Sequence, residues 1–283
     1  TQFAIGSCTK AFTAALVGFA IEEKGIDLDL PIHSYFPALQ FLDPGLTSQV
    51  TLRDMLCHRT GLPRHDFSWY SGSAISRDSL VHQLRFLEAS APLRQDFQYN
   101  NYMYMAIGSL LEKLYGKSWE ALIEEKLFSA LGMQHSSTGL VGDKGDYSYG
   151  YVYKNESIQP VDFLTNDMKG IAPAGGISST AKDMAQWLLM WTNQGRIAGK
   201  EIISSSFYQQ AISSQMIASP NLPNPAMTDY YFFNYGLGWY LANYRGHYGV
   251  GHGGNINGFS SFLVFLPTDS IGVYVSANQN NSS

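Results

Sequence analysis

Apolar side chains at Phe12, Ala15, Leu16, Phe19 and Ala20 recur at helical spacing, so the run from Ala11 to Ile21 predicts a buried helix ending near Lys24-Gly25. Gly6 permits a tight entry and puts Ser7 in the first turn. Ile26 to Ile32 alternates apolar and polar residues until Pro31 breaks the pattern. A short helix is expected over Val50 to His58, capped near Thr51 with Asp54 three residues on, and stopped at Thr60-Gly61-Leu62-Pro63. Further helices are expected around Asp78 to Ala89, over Tyr102 to Tyr115 before Gly116, and over Trp119 to Leu131 before Gly132.

From about Tyr147 the period changes. Tyr147 to Tyr153 alternates aromatic and small residues, and Ala174 to Ser179 reads as a strand feeding a helix capped by Thr180 with Asp183. Strands are expected at Phe233 to Leu241, His247 to Val250, Phe259 to Leu266 and Ile271 to Ala277, with turns at Asn243 to Gly246 and Pro267 to Ser270. Three regions result: residues 1–45 with the first helix and its connection, 46–165 mainly helical, and 166–283 built on an antiparallel sheet.

At 283 residues, 45% hydrophobic and 14% charged, the chain has ample core. Eighteen Lys and Arg against 23 Asp and Glu, with no basic block, argue against nucleic acid and against an anionic membrane surface. The longest apolar run is too short for a transmembrane segment. The two cysteines, Cys8 and Cys57, form no disulfide framework and pair with no histidine at metal-ligand spacing.

Three stretches carry candidate chemistry. Ser7 and Lys10 share one helix face, a hydroxyl beside an amine at the positive end of the helix dipole. Taken alone, the pair reads more often as a cap and a solvated lysine. Tyr99 and Asn101 stand where a loop enters a helix; the ordinary alternative buries Tyr99 and uses Asn101 as the N-cap. Gly251-His252-Gly253-Gly254-Asn255 is expected to join two strands, its glycines allowing close backbone approach or simply making a turn.

In order and context, Ser-x-x-Lys, Tyr-x-Asn and His-Gly-Gly resemble the three-motif site of serine β-lactamases and penicillin-binding proteins. The stretches Met55 to Pro63, Tyr99 to Gly108, Ala174 to Ser179 and Tyr235 to Trp239 are similar to those of the class C β-lactamase-related family, which includes D-amino-acid peptidases and esterases. The resemblance implies an α/β (α+β) fold of the β-lactamase/transpeptidase-like type, an antiparallel sheet flanked by helices plus a mainly helical region. Relative to the family the chain looks truncated at both ends, which leaves one sheet face uncovered. The implied reaction is acyl-enzyme hydrolysis of a small-molecule or peptide substrate, with no metal and no organic cofactor, in an extracytoplasmic setting.

By the same resemblance Ser7 is the nucleophile, Lys10 and Tyr99 move its proton, and Asn101 orients Lys10 and the substrate. The backbone N–H groups of Ser7 and Asn255 would form the oxyanion hole, with His252, Gly253 and Gly254 lining the substrate. Bringing a Lys or Tyr from a pKa of about 10 to about 7 takes roughly 4 kcal/mol, more than one helix dipole supplies, so burial and a second cation must contribute. The family places a lysine for this where His252 stands, and a hydroxyl where Gly253 stands. Esterase or peptidase activity is therefore expected ahead of true β-lactamase activity. A non-catalytic penicillin-binding module is the remaining alternative on this fold, and an α/β-hydrolase is disfavoured because no Gly-x-Ser-x-Gly elbow occurs.

Overall fold

The structure, a computed structural model, describes residues 1–70, 75–139, 146–161 and 169–279. The boundary expected between residues 165 and 166 lies outside the described residues, as do the last four residues of the chain.

Among the described residues, six antiparallel strands form the main sheet, in the spatial order Ile271–Ala277, Phe259–Leu266, His247–Ile256, Tyr240–Tyr244, Phe233–Tyr235 and Met216–Ile217. Period-two alternation sorts their side chains. Leu241, Val250, Leu263 and Phe265 are fully buried on one face, while Phe262, Ile271, Val273 and Val275 are about half exposed on the other. Among the described residues the outer face is therefore apolar and about half exposed. Trp191 of the Ala181–Thr192 helix covers the inner face, its ring 5.9 Å from that of Phe265.

The Thr9–Lys24 helix lies inside, between the Ala181–Thr192 helix and the Asn101–Tyr115 helix. Phe12 stacks on Trp187 at 3.8 Å between ring centroids. Every position from Thr9 to Val17 is buried, so its polar groups need partners. Thr9 Oγ1 accepts from the Ile177 amide, and Thr13 Oγ1 donates to the Pro173 carbonyl while accepting from Trp119 Nε1. A small second sheet, with Ile177–Ser179 between Phe3–Ala4 and Ser137–Thr138, fixes the segment before Ser7.

Several expectations change. Phe233 to Leu241 is not one strand but a hairpin: Gly236 donates to the Trp239 carbonyl, and Gly238 takes the left-handed conformation at φ +82°. The strand from His247 does not stop at Val250. It runs to Ile256 and takes in the whole Gly251 to Asn255 segment, because every residue there pairs with Phe259–Leu266. Ile26 to Ile32 buries Ile26, Leu28 and Ile32 but, among the described residues, pairs only through a Pro31–Thr51 bridge, so the alternation marks burial more than strand pairing. The helix from Asp78 covers Arg77–Gln83 and tightens to a 3₁₀ turn, and the one from Trp119 carries a π-turn at Glu124–Phe128. The Ser205–Ala211 helix and the Ser157–Val161 strand were not anticipated. Thr180 caps its helix, but the Asp183 carboxylate turns away to the His135 amide and the Ser136 hydroxyl.

The Leu52–Leu56 helix has the expected capping box between Thr51 and Asp54. Asp54 is fully buried and also takes hydrogen bonds from Arg59 and Arg94. Burial alone would raise its pKa, but the two guanidinium groups outweigh that and hold the carboxyl below its usual range. Through this cluster the chain entering Tyr99 is tied to the Thr51 helix.

Candidate active site

Gly6 stands at φ +52° and opens a 3₁₀ turn, Gly6–Cys8, that runs directly into the Thr9–Lys24 helix. Ser7 is therefore presented at the helix entrance with Lys10 one turn further on. Lys10 is fully buried, and its Nζ lies 2.7 Å from Asn101 Oδ1, 2.7 Å from the Ala174 carbonyl oxygen and 3.1 Å from Ser7 Oγ. Burial, and then the Arg64 charge, push its pKa well below the usual lysine value. In the neutral amine the two N–H bonds satisfy Asn101 and Ala174, and the lone pair is left for the Ser7 hydroxyl.

The Asn101–Tyr115 helix is capped by Asn100, not by Asn101; Asn100 Oδ1 accepts from the Met103 amide. This shift of one residue frees Asn101, whose carbonyl accepts from Lys10 and whose Nδ2 donates to Asp66. His58 Nδ1 accepts from the Asn100 amide, which puts the imidazole proton on Nε2 and pins the loop that carries Tyr99. The Tyr99 hydroxyl is buried with no well-formed hydrogen bond among the described residues. Burial pushes it well above the usual phenol value, with the Ser7 hydroxyl the first group opposing that effect. Lys10 Nζ stands 4.7 Å from the centre of the Tyr99 ring, and the Arg64 guanidinium carbon stands 5.1 Å from it.

His252 is in the site but is no cation. It is 1% exposed, and burial followed by the Lys10 charge lowers its pKa to about 3. Its Nδ1 contacts the Gly253 carbonyl oxygen, which can only accept, so Nδ1 carries the proton and Nε2 accepts from the Tyr235 hydroxyl at 2.9 Å. The histidine at the third motif is therefore neutral, made so first by burial. Gly254 packs on the Ser7 turn: a Cβ there would sit 1.9 Å from the Ile5 carbonyl oxygen and 3.0 Å from the Ser7 amide nitrogen. A Cβ on Gly6 would lie 3.0 Å from the Asn255 amide nitrogen, so the two backbones proposed for the oxyanion hole are in contact. At Gly253 a Cβ meets nothing closer than 3.7 Å.

Ser7, Asn101 and Asn255 line a cavity of about 210 Å³ together with Arg64, Asp66 and Trp69; Gly253 instead faces a separate cavity on the outer face of the sheet. Arg64, Asp66 and Trp69 were missed in the sequence reading. Their only signal is a charged pair, two residues apart, just after the Gly61-Leu62-Pro63 stop.

Neutral buried histidines make the fold acid-sensitive. His252, and His58 by burial first and the Lys10 charge next, bind protons in the unfolded chain near the usual value of about 6.5 but not in the folded one. The histidines' contribution to stability is therefore fully present above pH ~6.5 and is lost on acidification, by about 1.4 kcal/mol per pH unit for each histidine. For His252 the window closes near pH 3. Denaturant unfolding between pH 6 and 4 should show this slope, and His252→Gln should reduce it by one histidine's share; an unchanged slope would mean that His252 is charged in the folded state.

A serine hydroxyl beside a buried lysine, with a tyrosine at a helix entrance and a glycine-rich strand close by, is the arrangement expected of the serine β-lactamase and penicillin-binding-protein class. The Beta-lactamase family model matches residues 1–283, and the chain belongs to that family. An unguisins hydrolase from Aspergillus violaceofuscus is 30% identical over 304 residues, which cover 100% of this chain and 53% of that protein. The chain spans about half the length of the curated relatives it matches first. Among solved structures, the octameric penicillin-binding protein homologue from Pyrococcus abyssi has a TM-score of 0.82 at 24% identity, covering 98% of this chain and 62% of that one. A D-stereospecific amidohydrolase from Streptomyces sp. has a TM-score of 0.80 at 20% identity, covering 99% of this chain and 82% of the other. At these identities the two structures show the fold.

Proposed function

We propose that this chain is a serine hydrolase that cleaves an ester, amide or peptide through an acyl-enzyme on Ser7. The observation that carries the reading is Lys10 Nζ: buried, with two acceptors that use its N–H bonds and with the Ser7 hydroxyl as its third neighbour. Lys10 takes the Ser7 proton as Oγ attacks the carbonyl carbon, and the Ser7 and Asn255 N–H groups hold the oxyanion. Tyr99, a neutral phenol beside Lys10, gives its proton to the leaving group and regains one from the Lys10 ammonium. Water then attacks the acyl-enzyme with the same groups acting in reverse.

Amide and ester substrates rank ahead of β-lactam antibiotics, because neutral His252 and Gly253 provide neither cation nor hydroxyl at the third motif. A hydrolase and a D-stereospecific amidohydrolase among the similar proteins support the amide arm. No described helix is long and apolar enough to cross a membrane. The family resemblance supports an extracytoplasmic place of action.

A panel of a D-amino-acid amide, a short-chain nitrophenyl ester and a chromogenic cephalosporin tests this reading. Turnover of the amide or ester, abolished in Ser7→Ala, is expected, with kcat/KM for the cephalosporin lower by about tenfold or more, the scale of one charge-assisted hydrogen bond. Equal turnover in Ser7→Ala, or no turnover of any of the three, contradicts it.

A further inference from the structure

Arg64 is the charged group of the cleft whose hydrogen-bonding capacity is largely unused. Its Nε donates to Asp66 Oδ2 at 2.6 Å, while among the described residues neither terminal nitrogen has a hydrogen-bond partner. A guanidinium has four N–H bonds on those two nitrogens, arranged as a fork that matches a carboxylate. Asp66 is committed differently. Its Oδ1 accepts from Asn101 Nδ2 at 3.1 Å and from Trp69 Nε1 at 3.2 Å, and its Oδ2 takes Arg64. The pair is thus neutral in sum but offers a ligand mainly donors. The position is held at both ends, since Asp66 is linked through Asn101 to Lys10 and the guanidinium lies over the Tyr99 ring. Ser7 and Arg64 line the same small cavity, so a substrate whose carbonyl reaches Ser7 also passes Arg64. Nothing at the third motif competes for an anion, because His252 is spent on Tyr235 and Gly253 has no side chain.

We propose that Arg64, anchored by Asp66, is the carboxylate-recognition residue of the cleft, so that among ester and amide substrates those whose free carboxylate comes within reach of Arg64 are preferred. This rests on the hydrolase reading for its substrate class, but its test does not depend on turnover. The Arg64 side chain is 56% exposed, so solvent screens the pairing, and the preference is about tenfold, the lower end of what charge-assisted pairs give.

The experiment measures equilibrium binding to the acylation-incompetent Ser7→Ala protein by calorimetry. Two matched pairs are used: 3-carboxyphenyl butyrate with its methyl ester, and monophenyl adipate with its methyl ester. The first puts the carboxylate on the leaving group and the second on the acyl group. In at least one pair the acid should bind about tenfold tighter than the ester, and added salt should shrink the difference. Arg64→Gln in the same background should bring the ratio to about one, and Arg64→Lys, which keeps the charge but loses the fork, should retain part of it. A ratio near one in both pairs with Arg64 present, or a preference that survives Arg64→Gln, overturns the assignment. Binding preference without turnover in the Ser7-containing protein would count against the hydrolase reading alone; turnover without the preference would count against Arg64 alone.

Discussion

Replacing Lys10 with methionine lowers the rate of acylation by about 10³-fold, within the range of a general base removed from its reaction. Methionine matches the length and apolar stem of the lysine, so the fully buried site stays filled. What is lost is the lone pair 3.1 Å from Ser7 Oγ and the two N–H bonds that hold Asn101 and Ala174. Folding does not suffer in proportion. A lysine whose pKa falls on burial costs stability at neutral pH, so removing it offsets part of the lost hydrogen bonding. Single-turnover acylation with a nitrophenyl ester, beside a thermal melt, checks both parts. Acylation within tenfold of the parent would mean that another group takes the proton.

Gly254→Ala has the second large effect, on structure and activity together. Its Cβ would sit 1.9 Å from the Ile5 carbonyl oxygen, a backbone atom that no rotamer change can move. The central strand must draw away from the Ser7 turn, which costs about 3 kcal/mol by the scale of overpacked sites. The same movement separates the Ser7 and Asn255 amides, so acyl transfer falls by about 10²-fold or more, as when an oxyanion-hole donor is lost. Gly253→Ala is the control. Its Cβ meets the Phe262 ring at 3.7 Å and the Ser261 carbonyl oxygen at 4.0 Å, both ordinary contacts, so stability should stay near the parent value. Equal behaviour of the two variants would refute the contact between strand and turn.

Much of this was legible in the sequence where the signal was local. Helical spacing with Gly25 and Gly116 in the left-handed conformation at their ends marked the helix that follows the Ser7 turn and the helix that carries Asn101. Period-two alternation marked the last strands, Phe259–Leu266 and Ile271–Ala277, with their bounds. The errors arose where neighbours decide. Glycines from Gly251 to Gly254 read as a turn, but pairing with the adjacent strand holds them extended, and only the Ile5 and Ser7 backbones explain why Gly254 must be glycine. At Gly236 to Gly238 the reverse happened: aromatic alternation hid a real turn. The charge of His252 could not be read from the motif, since it depends on burial and on the Lys10 charge, and its tautomer on Tyr235 seventeen residues away. Arg64 and Asp66 sit in a loop without periodicity, and only the fold brings them to Asn101 and the Tyr99 ring.

Covalent chemistry at Ser7 is the central claim, and intact-protein mass spectrometry after reaction with a fluorophosphonate addresses it most directly. One adduct per chain is expected, mapping to the peptide that contains Ser7, absent in Ser7→Ala and strongly slowed in Lys10→Met. An adduct that forms at the parental rate in Ser7→Ala, or one that maps to any other residue, would contradict the account.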